Sequence, residues 1–424
     1  MTLIGRVHIV GGGLAGLAAA VELAAAGRPV SLYEQAGQAG GRCRSFFDET
    51  LQRTIDNGNH LVLSGNTSLM RYLRRIGAED RLSGPAQAAF PFVDLQTGER
   101  WTVRPGAGVF PWWLLSAERR IPGTRFRDYL GAIRLALAGP DRTVADCLDD
   151  GSALYRRFWE PLAVSVLNTA PSEGSANLLW PVLKETFGRG EAACRPRMAT
   201  RGLADTLVDP ALAFLRGRQA DVRFHARLRE VETDGERVRR LGFATGGESH
   251  VDLGDDDAVI LAVPPWAAAG FRSGLQVPQG SRAIVNAHFR LSRPVSSAGI
   301  VGLIGASAHW IFTRDDVASV TISAADDLAV EGNEAIALRL WPEVRQALQL
   351  SEEALPPWRV IKEKRATFAQ TPAEVRRRPG CVTTLKNLFL AGDWTATGLP
   401  ATIEGSVRSG HTAASRLFAT APSA

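Results

Sequence analysis

The residues with the most chemical content stand at the start of the chain. Gly11, Gly13 and Gly16 are spaced GxGxxG in "VHIVGGGLAGLAAAVELAAAGRPVSLYE", and Glu34 follows 23 residues after the first of them. Glycines at that spacing bare backbone N–H groups, and bare N–H groups at a helix start attract phosphate. Gly11 permits a tight turn, Gly13 lets the backbone approach a pyrophosphate, and Gly16 lets helix and strand pack closely. Leu14 and Ala15 sit between these glycines and share the phosphate-facing turn. Glu34 can accept hydrogen bonds from an adenosine ribose and would repel a 2′-phosphate.

The elements that must hold these residues are legible around them. "VHIV" is a β-branched run and predicts a buried parallel strand. Leu14 to Ala26 is rich in Ala and Leu and predicts a helix, with Gly27 just past its end. "PVSLYE" predicts a second strand ending at Glu34. Strand, loop, helix, strand and acid in register predict a dinucleotide-binding unit, which a lone GxGxxG would not.

"GQAGGRCRS" then places Gly40, Gly41 and Arg42 just after Glu34. This Gly-Gly-Arg extension resembles that of the FAD-binding family that includes amine oxidases, protoporphyrinogen oxidases and carotenoid desaturases. The resemblance implies an α/β fold: a three-layer Rossmann-type FAD-binding domain with an inserted α+β substrate domain, in the glutathione-reductase-2 or amine-oxidase-like arrangement. It implies FAD as cofactor, with Gln35 and Gly41 beside it and Arg42 facing its diphosphate, where a guanidinium suits the charge.

A second block, "NLFLAGDWTATGLPATIEGSVRSGHTAASRLF", lies near the other end. "LFLAG" predicts a strand, and a helix begins near Thr402. By the same resemblance Gly392 and Asp393 meet the ribityl or diphosphate region, and the backbone at Thr402 and Ile403 lies beside the flavin pyrimidine edge. A helix N-terminus there stabilises the anionic reduced ring by roughly 0.3–2 kcal/mol. "DVRFHARLREVETDGERVRRLGF" and "DDAVILAVPP" predict strands, which the resemblance assigns to the FAD domain with Leu228 near the adenine. The FAD domain is thus expected from 1–70, 195–268 and 375–424, and the substrate domain from 71–194 and 269–374.

Over nearly the whole chain, "IDNGNHLVLSGN", "FWEPLAVSVLNT" and "IKEKRATFAQTP" together look like the squalene-associated flavoenzymes, the hydroxysqualene dehydroxylases. That family removes the hydroxyl of hydroxysqualene with reduced FAD to make squalene for hopanoids. Two departures from amine oxidases agree with this. Thr402 stands where those enzymes usually carry an aromatic residue, and no cysteine near the second block offers a covalent flavin attachment, so FAD is expected to be non-covalent. The resemblance sets Gly58, Asn59, His60 and Leu61 against the isoalloxazine. The leaving hydroxyl needs a proton donor. His60, Asp56 and Glu404 are the ionisable residues that motif position brings closest. Each has another reading: His60 as a hydrogen-bond partner of backbone or flavin, Asp56 as a turn cap, Glu404 as a partner of Arg42 or Arg44. Phe158, Trp159, Leu162 and Leu167, in an apolar helical stretch, are expected to touch the lipid chain. "AIVNAHFRLSRP" and "AHWIFTR" predict strands of a sheet that floors the substrate site.

Composition bounds the partners. The chain has 424 residues, 45% hydrophobic and 22% charged, with a formal charge of +5 and a pI near 9.3. The excess is mostly Arg and does not require nucleic acid as a partner; a mildly basic protein also suits an anionic membrane surface. Cys43, Cys147, Cys194 and Cys381 are scattered, so neither a metal site nor a disulfide framework is expected, and a reducing cytoplasm is. "MTLIGRVHIVGGG" lacks a signal-peptide pattern. No second glycine loop follows a strand, so the electron donor is expected to be external and is unidentified.

"GVFPWWLLSAERR", Gly108 to Arg120, fits a lipid substrate. Trp112 and Trp113 suit the headgroup level and Leu114 and Leu115 a greater depth. Arg119, Arg120, Arg125 and Arg127 can face lipid phosphates, and "DYLGAIRLALAG" continues the patch as an amphipathic helix. The expectation is a membrane-contact segment over 108–138 and a peripheral enzyme at the inner face of the membrane. The competing reading of the tryptophans is ordinary core. Two other functions share the fold: an isoprenoid desaturase of the carotenoid type, and a non-enzymatic prenyl-lipid chaperone like the Rab GDP-dissociation inhibitors, against which the intact glycine loop, Glu34 and Gly-Gly-Arg argue.

Overall fold

"VHIV" forms the strand Val7–Val10 at the centre of a five-stranded parallel sheet. The order across the sheet is Asp221–Arg223, Val30–Tyr33, Val7–Val10, Ala258–Leu261 and Leu388–Leu390, every pair parallel. This computed structural model describes residues 5–244, 248–271, 274–295, 299–351 and 354–420. The two ends of the expected FAD domain, at 1–4 and 421–424, fall outside them.

Alternation along these strands builds three layers. Val7, Ile9, Leu32 and Ile260 face one way, into a core shared with the helices Leu14–Ala25, Thr67–Ile76 and Ile403–Thr420. Val10, Tyr33, Val259 and Leu261 face the other way, onto an antiparallel three-stranded sheet formed by Arg227–Thr233, Val238–Ala244 and Glu248–Asp252. Both faces of the parallel sheet are therefore covered, which is why its strands read as unbroken apolar runs. The first helix is buried on all sides because its small residues admit close neighbours. At Gly410, a Cβ would stand 2.2 Å from the carbonyl oxygen of Ala15, so the last helix crosses the first at backbone contact.

The second body is a seven-stranded sheet, in the order Trp358–Phe368, Ser281–Arg290, Val317–Ile322, Trp310–Arg314, Gly299–Ile304, Phe90–Asp94 and Arg100–Val103. One face buries Phe289, Val285 and Val320 against Leu340, Trp341 and Val344 of the helix Asn333–Leu348. The helices Glu160–Leu167 and Ala176–Glu185 share a core with the sheet residues Phe92 and Trp101. A small sheet pairs Pro196–Ala199 with both Val62–Leu63 and Leu82–Ser83, and so joins a strand of the expected substrate pieces to strands of the expected FAD pieces. The boundary at 70 also cuts the helix Thr67–Ile76, whose Leu69, Tyr72, Leu73 and Ile76 are buried with the FAD-side core.

Candidate active site

Strands of a parallel sheet end on one edge, and the sequence-predicted cofactor residues collect there. Gly11 has φ +110°, in the left-handed region, and a Cβ would meet the Ala262 carbonyl oxygen at 2.3 Å. A Cβ on Gly16 would lie 1.9 Å from the Gly11 oxygen, so strand and helix touch through their backbones. Gly13 is the exception. No atom stands within 4 Å of the Cβ it lacks, so its missing side chain leaves a groove at the helix N-terminus. Gly40 and Gly41 are both left-handed, at φ +103° and +56°. Gly40 donates its N–H to the Gly12 carbonyl and bridges Gly13, which lays the Gly-Gly-Arg turn on the glycine loop.

The polar groups around this groove suit a dinucleotide. Glu34 accepts from Gly12 N at 2.7 Å and Ala36 N at 2.8 Å, which leaves each oxygen a lone pair for a ribose hydroxyl. Arg42 pairs with Asp393 at 2.7 Å and donates to the Ala366 carbonyl, yet its side chain stays 43% exposed at the groove. The Asp393 charge, followed by burial acting in the opposite sense, leaves its guanidinium pKa raised. Leu228 is buried in one cluster with Val10 and Tyr33, near the strand ends. Gln35 is exposed beside Glu34, Thr402 is partly buried, and Ile403 opens the last helix. The residues present therefore fit FAD: a phosphate cradle, a ribose acid, a guanidinium and a second helix start meet at one edge.

The turn after the hairpin Ser45–Asp48/Arg53–Asp56 carries Gly58, Asn59, His60 and Leu61 against the seven-stranded sheet. A Cβ on Gly58 would stand 3.2 Å from Asn286 Nδ2. Asn59 donates to Thr321 Oγ1 at 3.1 Å, and Thr321 donates to Asn286 Oδ1 at 2.8 Å. His60 lines a cavity with Asp56, Met198, Leu203, Phe312 and Ser319, and burial pushes its imidazole down to about 4. It is neutral at pH 7, a state from which an imidazolium proton is not on offer.

The two expected acids are tied down. Asp56 accepts from Ser45 Oγ at 2.5 Å, Leu203 N at 2.8 Å and Arg314 Nη1 at 3.0 Å. Glu404 accepts from Ser68 N at 3.0 Å, Leu69 N at 2.9 Å and Arg408 Nη2 at 3.2 Å. It caps the helix Thr67–Ile76 from outside and pairs with Arg408, not with Arg42 or Arg44.

Among the four expected lipid-contact residues, Phe158 and Leu162 are partly buried on the edge of the helical core. Leu167 is 0% exposed and Trp159 5%. Both belong to the buried helical core cluster.

Sequence reading passed over three polar residues that hold the site's walls. Arg378 is buried and donates to the carbonyls of Leu399 at 2.8 Å and Asp393 at 3.1 Å, to that of Thr395, and to Thr397 Oγ1 at 3.0 Å. It stacks 5.3 Å over Phe368, and burial lowers its pKa to about 10. Gln370 accepts from Ala401 N at 2.8 Å and donates to Leu167 O at 2.6 Å. Asn168, at φ +46°, donates to Thr367 Oγ1 at 3.0 Å and accepts from Ala324 N at 2.6 Å.

The Trp-Trp stretch divides. Trp112–Leu115 is one turn of 3-10 helix, with Trp112 69% and Leu115 59% exposed. Trp113 packs edge-on against Tyr129 and is partly buried, and Leu114 is buried. Phe126, Leu130, Ile133 and Leu137 are all exposed, along the 3-10 helix Phe126–Leu130, the α-helix Gly131–Ala136 and the residue that follows it.

The model of the family described as flavin containing amine oxidoreductase matches residues 14–418. A hydroxysqualene dehydroxylase of Sinorhizobium fredii is 50% identical, with 96% of this chain and 97% of that one covered. One of Rhodopseudomonas palustris is 48% identical over 97% and 98%. A probable zeta-carotene desaturase of Synechococcus elongatus is 24% identical over 97% and 98%. Among solved structures, the cyclohexylamine oxidase of Brevibacterium oxydans aligns with a TM-score of 0.69 at 17% identity, covering 97% of this chain and 98% of that one. Cofactor groove and full-length similarity agree: the chain belongs to the flavin containing amine oxidoreductases, an FAD-dependent family, and within it to the hydroxysqualene dehydroxylases.

Proposed function

We propose that this enzyme reductively removes the allylic hydroxyl of hydroxysqualene to give squalene. The observation that carries the reading is half-identity with hydroxysqualene dehydroxylases across almost the whole of both chains, while a carotenoid desaturase stands at 24%. Bound FAD, once reduced, supplies the hydride. The chain's own part is to hold and orient. Glu34 and the glycine loop grip the adenosine end, Arg42 and Asp393 the diphosphate, and the Gly58–Leu61 turn the ring. Phe158 and Leu162 help keep water from the reacting carbon. The electron donor comes from outside the chain.

The substrate dissolves in lipid, and a membrane surface is the partner this supports. Val109, Phe110, Trp112, Leu115, Phe126, Leu130, Ile133 and Leu137 are exposed within one stretch, beside exposed Arg119, Arg125, Arg127 and Arg134. Each Arg near an anionic surface contributes about 1 kcal/mol. No helix among the described residues is long and apolar enough to cross a membrane.

Two measurements test the reading. Enzyme reduced anaerobically and given hydroxysqualene is expected to form squalene, and oxidised enzyme given phytoene in air to form no desaturated product; the reverse pattern rejects it. Wild-type protein is expected to pellet with anionic vesicles, and a Phe110→Ser/Trp112→Ser/Leu115→Ser variant to stay in solution with its activity on detergent-dispersed substrate intact.

A further inference from the structure

Dehydroxylation as proposed above needs a proton on the departing oxygen, and the acids around the cofactor groove are engaged. Asp56 and Glu404 each hold three donors, Asp393 is paired with Arg42, and Glu34 holds Gly12 N and Ala36 N. His60 is neutral.

One carboxylate on the same side is held differently. Glu363 lies in the strand Trp358–Phe368, opposite Ile284, while Ile361 lies opposite Asn286. Residues opposed in an antiparallel ladder share a face, as do residues two apart along a strand. Glu363 therefore projects from the same face as Asn286, whose Nδ2 donates to the Asn57 carbonyl at 3.4 Å. That face looks onto the Asn57–Leu61 turn. Glu363 is partly buried, and its Oε2 accepts from Asn57 Nδ2 at 3.3 Å. Its charge is also felt by Arg42. The ladder slips directly after it, and within the slipped segment the Ala366 carbonyl accepts from Arg42. Glu363 thus stands between the turn assigned to the flavin ring and the Arg42–Asp393 pair. Among the described residues the hydrogen bond it accepts is long and comes from a neutral amide, so its carboxyl is held by fewer donors than Asp56 or Glu404.

We propose that Glu363 is the proton donor to the leaving hydroxyl. The carboxyl proton passes to the hydroxyl oxygen as the allylic C–O bond breaks, and water departs. The carbon is then closed by a hydride whose electron pair comes from reduced FAD, which ends oxidised. One proton taken up from the medium restores the Glu363 carboxyl, so the alcohol, one hydride and one proton give the hydrocarbon and water. The inference rests on the dehydroxylase reading.

The test uses holoenzyme reduced with dithionite and mixed with hydroxysqualene without oxygen, in wild type, Glu363→Gln and Glu363→Asp. Squalene formation is expected to slow at least ~100-fold in E363Q and by about tenfold or less in E363D. FAD dissociation constants are expected to agree within about twofold. An allylic ester of the same substrate leaves without a proton, and E363Q is expected to convert it at close to the wild-type rate. In oxidised holoenzyme with hydroxysqualene bound, the infrared difference spectrum is expected to show a protonated carboxyl band that E363Q lacks. Wild-type turnover of hydroxysqualene by E363Q, equal slowing on the ester, or absence of the band overturns the assignment. Failure of wild type itself to form squalene from reduced enzyme rejects the dehydroxylase reading instead, and takes the Glu363 assignment with it.

Discussion

Two glycines three residues apart do different physical work, and substitution separates them. A Cβ at Gly16 meets backbone at 1.9 Å, so Gly16→Ala must push strand and helix apart. Overpacking of this kind costs about 3 kcal/mol, and the expected result is a lower melting temperature with or without FAD. A Cβ at Gly13 meets no protein atom within 4 Å. Gly13→Ala is expected to melt with the wild-type apoprotein and yet to bind FAD at least tenfold more weakly by fluorescence titration, because the methyl group occupies the phosphate's approach. Equal FAD affinity in G13A would remove this glycine from the cofactor site. The sequence motif alone could assign both roles, because they follow from spacing against a strand and a helix.

At the scale of elements, remote side chains fix the termini and loops that touch the cofactor. Glu404 supplies both oxygens to the first N–H groups of the helix Thr67–Ile76. Glu404→Ala leaves those donors buried and unmet, at about 2 kcal/mol, read by urea denaturation. Turnover per bound FAD is expected to persist, which a catalytic acid would not allow. Arg378 ties both ends of the Asp393–Leu399 loop by its fork of N–H groups. Arg378→Met is expected to weaken FAD binding at least tenfold, and Arg378→Lys to recover only part of it, since a point charge cannot reach four acceptors in a plane. Nothing in "EVRRRPG" distinguishes this arginine from its neighbours. Arg376 and Arg377 are exposed, and only packing against Phe368 and the loop turns Arg378 inward.

Across the whole molecule, histidines held low by burial weaken the fold towards acid pH. His60, His288 and His309 are each pushed by burial from the ordinary 6.5 down to about 4. Between those values the unfolded chain binds more protons than the folded one, so stability is lost as pH falls from about 6.5 towards 4 and the histidine contribution is level above that window. Unfolding free energy from denaturant titration is expected to drop steeply between pH 6.5 and 4.5, and His288→Asn to flatten that slope by about one proton. A pH-independent free energy there would contradict the burial of these rings.

Local order in the chain determined the cofactor end of this protein. Glycine spacing, an Ala-rich helix and an acid at the close of a second strand depend on neighbours within about thirty residues, and each stands where the motif put it. The second block was legible for the same reason. Distance along the chain hid the rest. Asp56 and Glu404 read as candidate acids because the donors Leu203, Arg314, Ser68 and Leu69 lie 147 or more residues away. Which of the apolar residues at 112–115 and 158–167 are covered was not legible, because hydrophobicity is the same quantity on either face of a helix or turn and only packing decides which face is covered. Glu363 gave no signal at all: a charged residue in "IKEKR" becomes an acid at the site only when ladder register sets it beside Asn57, 306 positions earlier.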